Sequence, residues 1–128
     1  MTVDDPLYRE EILELADDTS HRGRLDHADF SATQVNPLCG DLVRLQLQLA
    51  DSGLVEKARF EGQGCVISQA AAALLTRWVE SKSIDEMSRL RPHDVIDQLG
   101  ITPSPARMKC ALLAWKSLRK ALQLELEV

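Results

Sequence analysis

Val43-Arg44-Leu45-Gln46-Leu47-Gln48-Leu49 alternates apolar and polar residues without a break. A period of two sends successive side chains to opposite faces, so this stretch is predicted to be a half-buried β-strand. Asp51-Ser52-Gly53 follows as a turn. Leu54 to Glu61 is then predicted to return antiparallel, with Leu54, Ala58 and Phe60 on its buried face. Upstream, Phe30 to Val35 reads as a first strand. It enters the alternating strand through Asn36-Pro37-Leu38-Cys39-Gly40-Asp41, where Pro37 and Gly40 mark a turn. A sheet of this kind has an apolar face that needs cover.

The cover lies on both sides of it in sequence. Pro6 opens a helix with an apolar stripe at Tyr8, Ile12 and Leu15, which fades near Thr19. His21 to His27 is polar, carries Gly23 and reads as a loop. From Val66 to Val79, apolar residues recur at Ile67, Ala70, Ala71, Leu74, Leu75 and Trp78, which is helical spacing with a wide apolar face. Ser83 with Glu86 is a capping-box pattern for a short helix. Pro92 to Leu99, closed by Gly100, is another helix. Ser104-Pro105 opens a last one, striped by Met108, Ala111, Leu112, Trp115, Leu118 and Leu122. The expected fold is α+β: a small three-stranded antiparallel sheet packed against several helices, in one domain over residues 1–128.

Composition narrows the function. The chain has 128 residues, 45% of them apolar and 27% charged, an ordinary mix for a chain that buries a core. Lys and Arg number 15 against 20 Asp and Glu, a net charge of −5, so no general attraction draws it to nucleic acid or anionic membrane. No unbroken apolar run exceeds the length of Ala70 to Leu75, far below a bilayer span. Asp4, Asp5, Glu10 and Glu11 do not make the basic, then apolar, pattern of a secretory signal. A reducing, cytoplasmic setting is expected, in which thiols stay unpaired, bind metal or do chemistry. The cysteine count is odd: Cys39, Cys65 and Cys110.

Two readings of these thiols stand side by side. Free cysteine is among the most buried residue types, so all three could be small core residues. Their contexts favour the other reading. Cys39 sits in the Pro37–Gly40 turn, and Cys65 follows Gly62-Gln63-Gly64 at a strand-to-helix junction. There a thiol meets the positive end of the helix dipole, and the glycines allow close backbone approach. Cys110 lies well off the apolar stripe of its helix. Asp41, two residues beyond Cys39, adds a carboxylate. Three thiolates and one carboxylate make a tetrahedral donor set for a borderline-soft metal. The intervals of 25 and 44 intervening residues are not those of zinc fingers, so context carries this inference and spacing does not.

Other motifs carry less. Gly62-x-Gly64 precedes a helix, but the third glycine position of a dinucleotide fingerprint is Ile67. HExxH and GxSxG are absent. His21, His27 and His93 lie in polar stretches and read as surface residues, Trp78 and Trp115 as core, and Arg89-Leu90-Arg91 as a solvated cluster.

The stretch Asn36 to Gln48, the Gly62-Gln63-Gly64-Cys65 junction and Pro105-Ala106-Arg107-Met108-Lys109-Cys110-Ala111 together resemble the U-type iron–sulfur cluster scaffold family. This is the family of IscU, SufU and the N-terminal domain of NifU. The likeness runs from about Leu7 to about Leu122, and Leu7-Tyr8-Arg9-Glu10-Glu11-Ile12 resembles that family's first helix. The resemblance implies a SufE/NifU-like fold. It also implies that Cys39, Asp41, Cys65 and Cys110 hold a nascent cluster (2Fe-2S or 4Fe-4S), or zinc when no cluster is bound.

The implied partners are a cysteine desulfurase, whose persulfide sulfur Cys110 would accept, and apo-proteins that take the cluster. The oligomeric state expected is a monomer or a weak homo-oligomer. Lys109 stands where the IscU branch has His, and Ile101 to Ala106 replaces that branch's Leu-Pro-Pro-Val-Lys stretch. The Pro-Ala-Arg-x-Lys-Cys run resembles the SufU branch, which makes Arg107 a candidate neighbour of the metal site. The extra SufU segment ahead of the last cysteine is missing. The first function expected is a scaffold that builds and passes on a cluster; the alternatives are a zinc-dependent sulfurtransferase and, as a blander reading, a structural zinc adaptor without turnover.

Overall fold

A computed structural model describes residues 6–37 and 40–124. The elements follow in the order α1 (Pro6–Asp17), β1 (Phe30–Asn36), β2 (Asp41–Leu49), β3 (Val55–Gln63), α2 (Val66–Val79), α3 (Ile84–Ser88), α4 (Pro92–Leu99), α5 (Pro105–Ala111) and α6 (Leu113–Ala121). The strands form one antiparallel sheet in the order β1-β2-β3. The α+β class and the three-stranded sheet stand as the sequence predicts.

The strand that decided the fold is β2. Val43, Leu45 and Leu47 are fully buried on one face. Phe60 and Ala58 lie opposite Leu45 and Leu47 and continue that face onto β3. The expectation for Leu54 is corrected. Gln48 pairs with Lys57 but Leu49 pairs with Val55, a bulge that adds a residue to β3. The extra residue flips the alternation, so Val55 is buried and Leu54 is 39% exposed.

Helix α2 is the centre of the molecule, touching α1, the sheet, α4, α5 and α6. With neighbours on every side it buries more than an apolar stripe. Ser68 and Thr76 are also fully buried. Each hydroxyl donates to a backbone carbonyl of its own helix or its cap, Ser68 to Cys65 and Thr76 to Ala72, so no donor is stranded. Ile12 of α1 enters the core beside it; the side chain of Tyr8 lies outside the described residues. The capping box at Ser83 and Glu86 is formed, and Gly100 closes α4 at φ +71°, in the left-handed region that suits glycine.

The last helix is not continuous. Leu112, at φ −99° and ψ 0°, separates α5 from α6. The buried face shifts with the break: Leu113, Ala114, Trp115 and Leu118 are buried, whereas Met108, Leu112 and Leu122 are only half-buried. Trp115 is fully buried, its indole N–H donating to the Leu90 carbonyl at 2.8 Å. Trp78 differs from expectation. It is half-buried and lines a surface groove of about 350 Å³ with Leu90, Asp94 and Gln98.

His21 also departs from the surface reading. The segment around it docks along the free edge of β3, where Phe60 N–H donates to His21 and Gly23 N–H to Phe60. That covers an edge that would otherwise be open to pairing. His27 and His93 are exposed as expected. No helix among the described residues is long and apolar enough to cross a membrane.

Candidate metal centre

Three of the predicted ligands converge. One carboxylate oxygen of Asp41 and the sulfurs of Cys65 and Cys110 all lie within 4.8 Å of one another. They come from three elements. Asp41 is the first residue of β2, Cys65 is the N-cap of α2, and Cys110 is in α5. The sheet and two helices therefore meet at one end of the molecule, at the start of the central helix.

Local sequence explains how each gets there. Asn36 and Asp41 are paired across the β1–β2 turn, and Gly40, at φ +73°, donates its N–H to Asn36 at 2.8 Å. A left-handed residue is needed to close so short a loop, and glycine supplies it at little steric cost. Asp41 is 1% exposed. Its Oδ1 accepts the Cys65 backbone N–H at 3.0 Å, and its Oδ2 accepts the Cys65 thiol at 3.5 Å. The carboxylate thus fixes the N-cap residue to the start of β2.

The Gly62-Gln63-Gly64 run has its explanation here. Gly64 has φ +144°, and a Cβ placed on it would stand 2.6 Å from Asp41 Cγ. A Cβ on Gly62 would stand 2.5 Å from the Leu42 carbonyl. Both glycines are therefore present because β2 passes against the end of β3. They do not form a cradle for phosphate.

Cys110 is 2% exposed, with its sulfur 4.0 Å from the Ala106 carbonyl. The expectation that it lies off the buried face is corrected: with the helix broken at Leu112, Cys110 and Ala111 are the buried residues of α5, and Cys110 joins the core. Helix α5 packs against α2 on that side, which buries the thiol next to Cys65. Cys65 itself is half-buried. Cys39 lies outside the described residues, between Pro37 and Gly40 of the same turn.

Arg107 is not brought to the cluster. Its backbone N–H donates to the Ser104 hydroxyl at 3.3 Å, while its side chain is exposed and makes no hydrogen bond or ion pair among the described residues. A residue that sequence reasoning passed over is Asn36, 7% exposed and paired with Asp41. Its signal was its place as the last strand residue before the Pro37 turn.

The donor set suits a metal between soft and hard. In a tetrahedral site with metal–sulfur bonds of about 2.3 Å, ligand atoms stand about 3.8 Å apart. Donors already within 4.8 Å need only a small inward movement. Thiolate sulfurs favour zinc and iron, and a single carboxylate is the harder ligand of the set.

Comparison with known proteins agrees with this geometry. The model of the NifU-like N-terminal domain matches residues 7–124. The iron–sulfur cluster assembly scaffold protein IscU of Thermotoga maritima is 38% identical, covering 91% of this chain and 93% of the relative. The zinc-dependent sulfurtransferase SufU of Bacillus subtilis is 36% identical, covering 94% and 92%. Among solved structures, a SUF-system iron–sulfur cluster assembly scaffold protein from Fervidobacterium islandicum superposes with a TM-score of 0.75 at 27% identity, covering 88% of this chain and 94% of that one. The N-terminal part of a NifU-like protein from Brucella abortus shares the fold, with a TM-score of 0.75 at 24% identity over 95% and 96% of the two chains. The chain belongs to the family of NifU-like N-terminal domains, the U-type iron–sulfur cluster assembly scaffolds.

Proposed function

We propose that this chain is a cytoplasmic iron–sulfur cluster assembly scaffold, a single domain in which Cys39, Asp41, Cys65 and Cys110 hold a nascent cluster. The observation that carries the reading is the convergence of Asp41, Cys65 and Cys110 at one end of α2. The cluster is cargo, built from iron and from persulfide sulfur that a cysteine desulfurase supplies and an external electron donor reduces to sulfide with two electrons per sulfur, then passed to apo-proteins. The thiolates bind the iron, and the carboxylate is a harder ligand that releases more readily than a fourth thiolate would. Zinc fits the same donors when no cluster is present. Scaffolding of this kind is carriage, without catalytic turnover.

A second reading is supported by the likeness to SufU and by the Pro105–Cys110 run. In it zinc orders the site, and Cys110 leaves the metal to accept persulfide sulfur from the desulfurase.

Anaerobic reconstitution with ferrous iron, cysteine, a desulfurase and a thiol reductant separates the two. The scaffold reading expects visible charge-transfer bands from a cluster that an apo-ferredoxin then acquires. Zinc that stays bound, blocks cluster formation and accompanies faster desulfurase turnover would replace it with the sulfurtransferase reading.

A further inference from the structure

Next to the metal centre, and separate from it, lies a groove of about 290 Å³ lined by Gln34, Val35, Asn36, Pro37, Lys109, Leu113 and Lys116. No acidic residue lines it among the described residues. Neither Lys109 nor Lys116 has an ion-pair partner among the described residues, and Lys120, one turn beyond Lys116, reaches back to the Thr33 carbonyl at 3.3 Å. The chain as a whole carries −5. A pair of uncompensated cations in one groove of a net acid is a local reversal of sign. Such a reversal steers an oppositely charged partner toward this one groove.

The remaining lining says what accompanies the charge. Val35 is 50% exposed, the most exposed large hydrophobic residue described, and Pro37 lies beside it. β1 is an edge strand, so this wall is extended backbone on one side and a helix on the other. Lys109 lies in α5 and Lys116 in α6, on either side of the Leu112 break, and seven steps near helical rise put them about 10 Å apart along the chain. Carboxylates on one side of an extended chain stand about 7 Å apart, and flexible lysine arms span the difference.

We infer that this groove docks an extended segment of a protein partner in which acidic residues alternate with apolar ones. The acids meet Lys109 and Lys116, and an apolar side chain covers Val35 and Pro37. Its place matters. Asn36 is paired with Asp41, and Lys109 precedes Cys110 in sequence, so the segment would lie against the metal centre without using its ligand atoms. The inference goes beyond the scaffold reading and does not depend on which metal is bound.

The test uses the zinc-loaded protein and a short fluorescent peptide alternating glutamate with leucine, followed by anisotropy. Saturable binding that weakens with added salt is expected. The double substitution Lys109→Gln and Lys116→Gln should weaken it about tenfold, because two charge contacts are lost. Lys57→Gln, on the exposed part of β3, should not change it. Equal binding by the double variant, or equal binding of a peptide with glutamine for glutamate, would overturn the proposal. So would displacement of the peptide by citrate at matching concentration, which would mark a site for small anions. Zinc content, measured on each variant, reports on the metal centre separately.

Discussion

The two ends of α2 each hold a carboxylate, and the two are held in opposite ways. Glu80, at the C-terminal end, is gripped by cations and N–H groups. Its Oε1 is 2.6 Å from His21 Nε2, and its Oε2 accepts from Ala58 N–H at 3.2 Å and from Arg59 at 3.3 Å. Burial raises its pKa, but the hydrogen bonds from His21 and Ala58 and the charges of His21 and Arg59 outweigh that and hold it below the ordinary glutamate value. Asp41, about 20 Å away at the N-terminal end, accepts instead from the Cys65 N–H and the Cys65 thiol. One end clamps the His21 segment and β3 to the helix. The other places a buried carboxylate against thiols, whose protons a metal can replace.

The sharpest way to break this contrast is to deny the Asp41 end its close approach. Gly64→Ala would push a methyl group into the Asp41 carboxylate, at a backbone angle side chains rarely adopt. We expect a loss of about 2 kcal/mol or more in stability, and metal affinity down by at least about tenfold. Thermal unfolding and zinc stoichiometry report the two effects. A variant that unfolds and binds zinc like the parent would mean that Asp41 and Gly64 need not touch.

Removing the Asp41 carboxylate should separate assembly from release. Asp41→Ala leaves the three thiols to hold a cluster, so assembly should persist. Transfer to an apo-ferredoxin should slow by about tenfold as the exchangeable oxygen ligand is lost. Asp41→Cys should slow it further, since a softer fourth ligand holds iron better. Transfer as fast as the parent's from a normally assembled cluster would reduce Asp41 to a residue that closes the turn.

How much of this contrast was legible in the sequence follows from the range of the interactions involved. The alternation of Val43 to Leu49 and the caps at Ser83 and Gly100 are local signals, and they place β2, α3 and α4 correctly. Asp41 and Cys65 were identified through turns and glycines within a few residues of each, and Cys110 through its place off the apolar stripe of the last helix. The misses depend on distant partners or on small geometric slips. Glu80 and His21 are 59 residues apart, so nothing near either one marks the pair. The bulge at Gln48 and Leu49 and the break at Leu112 each change the facing of a side chain by one position. Hydrophobic period alone does not register such shifts. Trp78 sat on an apolar stripe, but the stripe extends past the edge of what α4 covers.

The Glu80 end should answer to pH and not to metal. A carboxylate with a depressed pKa stabilises the fold fully above its unfolded value of about 4.3, and that contribution disappears as pH falls through the folded value. Glu80→Gln keeps hydrogen-bonding atoms but removes the charge. We expect it to cost about 1–2 kcal/mol at neutral pH, with the gap between variant and parent closing below about pH 4. Unfolding followed from pH 7 to pH 3 would check this, and zinc binding at pH 7 should be unchanged. A gap that stays constant down to pH 3 would show that shape, and not charge, holds this end together.

The smallest effect is expected at Arg107, and it bears on how far the metal end extends. Arg107 is three residues before Cys110, about 60° from it around the helix. That is near enough for a long side chain to swing toward a metal-bound sulfur or carboxylate, although in this structure it is exposed and has no side-chain partner among the described residues. With no contact to lose, Arg107→Ala should shift stability by less than about 0.5 kcal/mol. If the guanidinium closes over the loaded site, the variant should surrender zinc to a chelator two- to threefold faster, roughly what a charge-assisted hydrogen bond exposed to solvent contributes. Arg107→Lys should recover only part of that, because an ammonium cannot span sulfur and carboxylate as a planar fork does. The decisive quantity is the zinc release rate measured beside the melting temperature. Identical release from all three proteins would confine the metal end to Cys39, Asp41, Cys65 and Cys110 and leave Arg107 a solvated cation. Faster release at an unchanged melting temperature would extend that end along α5, toward the groove that Lys109 lines.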